Sequence, residues 1–413
     1  MSYLKRVLAI VLCISLYMSA VACSNIEPDI TSDDNSSIPI SSDSTVSDQN
    51  SGPDSVASSE PSAESVTESS LSDDLPSEEN SGEEDSWISP DSEDSEFSES
   101  DDTSSEDSCD DASEPACSRF SVISPKVGFN KVWESGGMEL YNTDFRISDE
   151  LLSKFAARFA SFGNAQSVAL IELETNMAFT YSKDTKIATA SSIKGPMGLF
   201  AYKCIDDGVI SWDTVKTYQP RHFQEHSTGY VQDSPFGTPF TVKTLMDYMI
   251  RISDNQAYLM IKELVGTENF EKMMSALGSS RIIPKGHNWG YITAWEMASV
   301  WREIYFYSLS GKSGAELFDR YMHARYNYIW RSIPQYETAH KSGWSGKAFN
   351  DAGVVMADGH NYAIAVLMGR SGMEDETSQF QFTCVTRLLA DLMVEYNEYI
   401  ENGNISETGS TEK

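Results

Sequence analysis

The feature that most restricts how this 413-residue chain can fold is a long stretch with almost nothing from which to build a core. Residues 24–118 contain 30 serines and 29 aspartates or glutamates, but no lysine or arginine. Such a segment cannot bury enough apolar surface to offset the entropy that it would lose on ordering, so disorder is predicted. We interpret residues 23–118 as a flexible tether. We expect the folded domain at residues 119–400 and a flexible tail at 401–413.

Most of the net negative charge of the chain comes from residues 24–118. Of the formal net charge of −33, residues 24–118 contribute −29 and the first 23 residues +2, which leaves −6 for the rest. Neither an acidic stretch nor a domain with a small negative net charge favours binding to phosphate groups. Nucleic acid is therefore not an expected partner.

The first 22 residues have the parts of an export signal peptide. Two basic residues precede an apolar stretch, and Ala20-Val21-Ala22 ends it. Because Cys23 follows these small residues directly, the segment resembles a bacterial lipobox, in which Cys23 becomes lipidated. An ordinary signal peptide cut nearby is the alternative. The sequence predicts an exported lipoprotein on the extracellular side of the cell membrane, held there by its lipid anchor.

Apolar periodicity between residues 130 and 400 predicts a mixed α/β (α+β) fold with two lobes. A helix capped by Ser148 and two strands come first, mostly helical sequence follows, and three strands and a long helix come last. The strands are expected near residues 167–173, 178–182, 336–342, 351–356 and 362–368, with Asp358-Gly359 as a hairpin turn. This order implies an antiparallel five-stranded sheet flanked by helices, an all-α lobe, and a ligand site in the cleft between them.

The spacing of cysteines and histidines does not indicate a metal site, and neither a metal nor a cofactor is expected. Cys204 and Cys384 fall on apolar helical faces and are interpreted as packed thiols. His222 and His226 flank "FQE", an order that differs from the zinc-binding H-E-x-x-H. We interpret them as a polar loop pair without a metal.

The pair S-x-x-K occurs three times, and its surroundings distinguish the copies. Two copies lie in the leader and in the tail, whereas Ser191 with Lys194 follows the first strands and opens an apolar helix. There the two side chains share one face, a single turn apart. A lysine buried at a helix start can lose its proton and act as a base toward a hydroxyl. We predict Ser191 as a nucleophile and Lys194 as its base; the alternative is a serine that only caps the helix.

Two further motifs lie on elements that suit a site. Ser253-Asp254-Asn255 falls between two helices, where by itself it would be interpreted as a capped joint. K-S-G occurs twice, and Lys312-Ser313-Gly314 starts a helix in which Ser313 and Glu316 are expected to form a capping box. Lys341-Ser342-Gly343 instead ends a strand beside the hairpin. There a cation and a hydroxyl would line a cleft edge, and the glycine would let a substrate backbone approach.

The three motifs, in this order and on these elements, resemble the signature of class A β-lactamases and penicillin-binding proteins. The resemblance extends over about residues 135 to 398. It implies a serine hydrolase that forms an acyl-enzyme with β-lactams or with D-alanyl peptides of the cell wall. Ser191 would attack the amide carbonyl, Lys194 would help to remove its proton, and Ser253 would relay a proton to the leaving nitrogen.

The resemblance also implies the substrate-binding residues. Asn255 would orient the lysine base and hydrogen-bond the side-chain amide of the substrate. Lys341 and Ser342 would hold the substrate carboxylate, beside Gly343. The backbone N–H groups of Trp344 and of the nucleophile would form the oxyanion hole.

One residue of the resembled family is missing. Class A β-lactamases carry a glutamate in an Ω-loop that activates the deacylating water. Residues 279–295 contain no carboxylate, and the nearby Glu296 is interpreted as half of a capping box with Thr293. Slow β-lactam turnover is therefore predicted. A β-lactamase, a D,D-peptidase acting on peptidoglycan and a catalytically idle module that binds the cell wall stay open as alternatives, and a monomer is expected.

Overall fold

A computed structural model describes residues 120–225, 227, 229–357, 359–370 and 376–403 of the chain. Outside the described residues lie the predicted signal peptide at 1–22, Cys23, the predicted tether at 23–118 and the end of the tail. All described residues belong to one structural unit. Within this part of the chain, no helix has the length and apolar composition that crossing a membrane requires.

The described strands are β1 (Lys131–Ser135), β2 (Met138–Tyr141), β3 (Ala165–Glu172), β4 (Ala178–Tyr181), β5 (Ile187–Ala188), β6 (Val215–Thr217), β7 (Pro239–Thr241), β8 (Tyr291–Ile292), β9 (Glu337–Ser345), β10 (Ala348–Ala357) and β11 (His360–Gly369). Seven of them form one antiparallel sheet in the spatial order β1-β2-β4-β3-β11-β10-β9. Two small pairs, β5 with β8 and β6 with β7, lie outside this sheet. The chain thus returns to the sheet after its helical part, as predicted.

The mixed fold is confirmed, but the predicted five-stranded sheet is wrong in its number of strands. The two strands that the prediction missed are β1 and β2. They are joined by Gly136 and Gly137, whose φ values of 58° and 82° fit the positive angles of a tight hairpin turn. Strand β1 lies at the sheet edge and is largely exposed. Its side chains therefore lack the alternation of apolar and polar residues by which a strand is recognised.

The α-helices of the described residues are α1 (Asp149–Ser161), α2 (Lys194–Asp206), α3 (Val242–Arg251), α4 (Asn255–Val265), α5 (Thr267–Ala276), α6 (Ala294–Leu309), α7 (Lys312–Met322), α8 (Tyr328–Ser332) and α9 (Glu376–Glu401). The predicted cap of α1 is confirmed, because Ser148 Oγ accepts a hydrogen bond from the Leu151 N–H. The capping box predicted for Ser313 and Glu316 is wrong. Ser313 lies inside the first turn of α7, and Gly311 precedes the helix.

The large sheet separates two hydrophobic cores. On β3, Val168 and Leu170 point into one core, while Ala169 and Ile171 point into the other, as the two-residue period of a strand requires. Helices α1, α8 and α9 cover the first face, and helices α2 to α7 cover the second. A short 3-10 helix directly before α2 contacts β9. The sequence motifs therefore meet at the edge of the sheet that β9 forms.

Two cysteines differ from their predicted state. Cys204 in α2 and Cys384 in α9 are both disulfide-bonded, so their interpretation as packed thiols is wrong. Both residues are buried as expected, but burial does not distinguish a thiol from a disulfide sulfur. Disulfides are typical of proteins that fold in oxidising compartments.

Candidate active site

Ser191 lies in the 3-10 helix Ala190–Ile193, directly before α2. The chain enters this turn through Ala190, whose φ of +43° is a value that residues with a side chain adopt at a cost. Lys194 is the first residue of α2, and its Nζ lies 3.0 Å from Ser191 Oγ. The two predicted residues are therefore within hydrogen-bond distance of each other.

Lys194 is a fully buried amine surrounded by oxygen atoms. Its Nζ lies 2.7 Å from the Ser253 carbonyl oxygen, 3.2 Å from Ser253 Oγ and 2.6 Å from Asn255 Oδ1. Burial, and after it repulsion from Lys341, lowers the pKa of Lys194 well below its usual value, and attraction to Asp254 opposes this only in part. A lysine with a lowered pKa can accept a proton near neutral pH. The arrangement is therefore chemically able to deprotonate a neighbouring hydroxyl.

The S-D-N motif forms the joint between α3 and α4, as its sequence context predicted. Ser253 has a φ of +62°, and both its carbonyl oxygen and its hydroxyl face the buried amine. Asp254 caps α4 by accepting from the Ala257 N–H at 2.8 Å. Its other oxygen accepts from the N–H groups of Tyr230 and Val231 at 2.7 and 2.9 Å. Asp254 thus also anchors the preceding loop, a role that the sequence did not indicate.

Lys341 and Ser342 are buried residues of β9. Lys341 Nζ donates to the Ser342 carbonyl oxygen at 2.9 Å. Burial lowers the pKa of Lys341 to about 8, although the charge of Asp351 acts in the opposite direction. Ser342 Oγ is buried and has no hydrogen-bond partner among the described residues. A buried hydroxyl without a partner is costly, so a ligand that supplied a hydrogen bond to it would be stabilised.

Gly343 allows β9 to lie directly on the turn that carries the candidate nucleophile. A Cβ atom at this position would be 2.3 Å from the Ser192 nitrogen and 2.5 Å from the Ser191 nitrogen. The space that was expected for a substrate backbone is therefore occupied by the backbone of the chain itself, which only glycine permits. The next residue, Trp344, is partly buried and packs against Tyr326, with ring centroids 4.8 Å apart.

An aromatic side chain lies beside the buried lysine in the segment between α5 and α6. Lys262 of α4 donates to Asn288 Oδ1 at 2.7 Å, and the Tyr258 hydroxyl donates to the Asn288 carbonyl oxygen at 2.8 Å. The segment is thereby fixed with Trp289 stacked on Tyr258 at 4.8 Å and centred 5.5 Å from Lys194 Nζ. This is the segment in which the sequence lacks a carboxylate. It contributes an aromatic wall to the site instead.

Glu296 has the structural role that was predicted for it. It forms a capping box with Thr293 at the start of α6, and its other oxygen accepts from the N–H and the hydroxyl of Ser280, both at 2.8 Å. Burial acts to raise the pKa of Glu296, but these hydrogen bonds outweigh it and the pKa is lowered. A carboxylate held in this way is a weak base.

His222 likewise has neighbours for both ring nitrogens. Its Nε2 lies 2.5 Å from a carboxylate oxygen of Glu263, and its Nδ1 accepts from the Gln219 N–H at 3.1 Å. These contacts support its interpretation as a polar loop residue. His226 lies outside the described residues.

A family comparison covers the whole candidate site. The model of the family described as "Beta-lactamase enzyme family" matches residues 150–390, which is more than half of the chain. The chain belongs to this beta-lactamase enzyme family. All candidate residues, from Ser191 to Trp344, lie inside the matched region. A comparison with curated proteins found no match.

Solved structures of the beta-lactamase fold superpose on the described domain. PBP-A has a TM-score of 0.55 at 20% identity, covering 60% of this chain and 97% of that chain. A PBP-A mutant, solved as an acyl-enzyme complex with penicillin G, also has a TM-score of 0.55, at 19% identity, with 59% and 96% covered. A beta-lactamase from Chitinophaga pinensis has a TM-score of 0.54 at 20% identity, with 59% and 100% covered. At these identities the likeness shows the fold.

Asn350 helps to position the candidate active site, a role that was not predicted from the sequence. Asn350 of β10 donates through Nδ2 to the carbonyl oxygens of Ala188 and Thr189, at 2.8 and 3.2 Å. It thereby ties the sheet to the segment that leads into Ser191. The position of Asn350 shortly after the K-S-G motif, at the start of the next strand, is the signal that could have indicated this role.

Proposed function

We propose that this protein is a serine acyl-transfer hydrolase that forms an acyl-enzyme at Ser191 and releases it slowly. The observation that carries the proposal is the contact of 3.0 Å between Ser191 Oγ and the fully buried Lys194 Nζ. A serine hydroxyl is a weak nucleophile unless a neighbouring group takes its proton. The Lys194 amine is fully buried and its pKa is lowered, as such a role requires.

Acylation in this proposal uses two proton transfers. Ser191 Oγ attacks the amide carbonyl carbon and gives its proton to Lys194. The carbon–nitrogen bond then breaks, and the leaving nitrogen receives a proton through the hydroxyl of Ser253, which lies 3.2 Å from the lysine. The proposed oxyanion hole consists of the backbone N–H groups of Ser191 and Trp344, since donors of this kind stabilise the charge that develops on the carbonyl oxygen.

The proposed substrates share an amide and a nearby carboxylate. β-Lactams and D-alanyl peptides both have this pair of groups. Lys341 and the unpartnered hydroxyl of Ser342 are adjacent on β9 and suit a carboxylate, because a cation and a donor together make strong hydrogen bonds to it. Asn255 is placed to orient the lysine base.

Deacylation requires a second base that positions water against the ester. Such a base contributes typically about 10²–10⁴-fold to a rate. The segment beside Lys194 presents Trp289 rather than a carboxylate, and Glu296 is held by Thr293 and Ser280. These observations favour a penicillin-binding protein or D,D-peptidase over an efficient β-lactamase.

The test is covalent labelling of the purified protein with a fluorescent penicillin. We expect labelling of the wild type, and its loss in Ser191→Ala and Lys194→Ala. Ser192→Ala is the matched control: the neighbouring serine is buried with its hydroxyl bonded to the Thr189 carbonyl oxygen, so this variant should still be labelled. Equal labelling of Ser191→Ala and the wild type would remove the nucleophile assignment. An unlabelled but folded wild type would favour the catalytically idle wall-binding module.

Intact-protein mass spectrometry distinguishes the two enzyme alternatives. After a short penicillin pulse, the adduct should persist on the protein for minutes or longer. Rapid hydrolysis of many equivalents of penicillin without a detectable adduct would instead assign an efficient β-lactamase, and would require a deacylating base that the proposal lacks.

A further inference from the structure

A second cluster of titratable side chains lies in the large sheet, where β3 ends and β11 begins. Glu172 ends β3, Glu174 follows in the turn to β4, and His360 begins β11. A carboxylate oxygen of each glutamate and a ring nitrogen of His360 all lie within 4.8 Å of one another. The three residues meet because β3 and β11 are neighbours in the sheet, with Glu172 paired to Tyr362.

Two atoms of this cluster are buried without a partner. In the described part of the chain, neither Glu172 Oε1 nor His360 Nδ1 has a hydrogen-bond partner, although each is shielded from solvent. The two atoms lie 3.8 Å apart, and the side chain of Glu172 is fully buried. A buried polar group without a hydrogen-bond partner is destabilising. The two atoms therefore lie near each other with neither hydrogen-bonded, and a ligand that binds both is expected.

The other oxygen of Glu172 is held firmly. Glu172 Oε2 accepts from the Thr175 N–H, from the Thr175 hydroxyl at 2.6 Å and from the Glu174 N–H at 3.0 Å. The Tyr396 hydroxyl in turn lies 2.9 Å from Thr175 Oγ1. Such outer hydrogen bonds fix the orientation of metal-binding carboxylates. They leave Oε1 aimed at His360.

We propose that Glu172, Glu174 and His360 bind a divalent transition-metal cation, with Zn²⁺ as the best fit. Zn²⁺ binds imidazole nitrogen and carboxylate oxygen at about 2.0–2.2 Å, and two ligands around a tetrahedral ion are then roughly 3.3 Å apart. The observed 3.8 Å between Glu172 Oε1 and His360 Nδ1 needs only a small contraction to reach this distance. Mg²⁺ prefers oxygen ligands and is not expected to bind.

This site is separate from the candidate active site. Ser342 of β9 pairs with Asp351 of β10, Asp351 pairs with Val366 of β11, and Val366 pairs with Val168 of β3. Ser342 and Val168 therefore lie in one row across the sheet. Glu172 lies four residues further along, about 13 Å at 3.3 Å per residue, and three strand spacings add about 14 Å sideways. The ion would therefore be structural, joining the β3–β4 turn to the start of β11.

The test is Zn²⁺ binding to the purified full-length protein by isothermal titration calorimetry. The buffer contains an excess of Mg²⁺, which is meant to occupy the carboxylates of residues 24–118 so that they do not compete for Zn²⁺. We expect one site in the wild type, weakened about tenfold or more in His360→Ala and in Glu174→Gln. His323→Ala is the matched control, because His323 Nδ1 also lies near a carboxylate, 3.3 Å from Asp319, but outside the cluster; its affinity should equal that of the wild type.

Glu174 is exposed, so Glu174→Gln is not expected to impair folding, and melting temperatures in a chelator identify any variant that does not fold. With Co²⁺ as a spectroscopic substitute, the ligand-field absorption of Co²⁺ bound at this site should be present in the wild type and changed or lost in His360→Ala. Equal Zn²⁺ affinities of wild type, His360→Ala and Glu174→Gln, or identical Co²⁺ spectra, would overturn the proposal. A Mg²⁺ titration in Mg²⁺-free buffer that shows an equally tight site, lost in His360→Ala, would overturn the choice of metal.

Discussion

Gly343→Ala should reduce acylation sharply while leaving the fold intact. The added Cβ would lie 2.3 Å from the Ser192 nitrogen, and ordinary contact begins at 3.4 Å. Strand β9 and the nucleophile turn must therefore separate by about 1 Å, and a misplacement of this size can cost about 10²-fold in rate. A 10²-fold loss corresponds to about 2.7 kcal/mol of activation free energy.

The assay is the second-order rate constant for labelling by a fluorescent penicillin, with the melting temperature measured in parallel. Gly346→Ala is the control in the adjacent turn, because its added Cβ would meet no atom within 4 Å. Gly353→Ala is a second control: its Cβ would lie 2.1 Å from the Ala339 carbonyl oxygen, so it strains the same sheet without contacting the nucleophile turn. A Gly343→Ala protein that acylates within about threefold of the wild type would refute the reasoning, since this is far below the loss that a 1 Å displacement predicts.

Two further predictions concern charge. Lys341 must be protonated to bind a carboxylate, and its pKa is about 8; the second-order acylation rate should therefore fall above about pH 8, approaching tenfold per pH unit. A pH–rate profile that stays flat up to about pH 10 would contradict this role of Lys341. Glu296→Ala should lower the free energy of unfolding by about 1–2 kcal/mol through loss of the capping box, with no change in adduct lifetime. Chemical denaturation and mass spectrometry measure the two effects, and a longer-lived adduct in this variant would assign Glu296 as the deacylating base.

Most of the elements could be predicted because burial leaves a periodic trace in the sequence. The apolar run of β3 and the capped start of α1 are such traces. Strand β1 could not be recognised, because an exposed edge strand has no core to impose alternation. The disulfide state of Cys204 could not be predicted either, since a thiol and a disulfide sulfur are both buried readily.

The candidate site was predictable as a set of motifs but not as a geometry. Ser191 and Lys194 are near in the chain, so helical spacing was enough to bring them together. The contact of Lys194 with Ser253 and its electrostatic interaction with Lys341 depend on how helices and sheet pack, which no local pattern specifies. The same holds for Gly343, whose neighbour is the Ser191 turn rather than a ligand. The cluster of Glu172 and His360 is likewise created by strand pairing alone.

The oxygens around Lys194 determine the direction in which its lone pair points. A neutral amine has two N–H bonds and one lone pair. Its two shortest contacts, 2.6 Å to Asn255 Oδ1 and 2.7 Å to the Ser253 carbonyl oxygen, are to atoms that can only accept, so they take both N–H bonds. The lone pair is then left for the hydroxyl of Ser191 or of Ser253, the two remaining neighbours. The same nitrogen can therefore exchange a proton with either serine while its two N–H bonds stay with Asn255 and the Ser253 carbonyl oxygen.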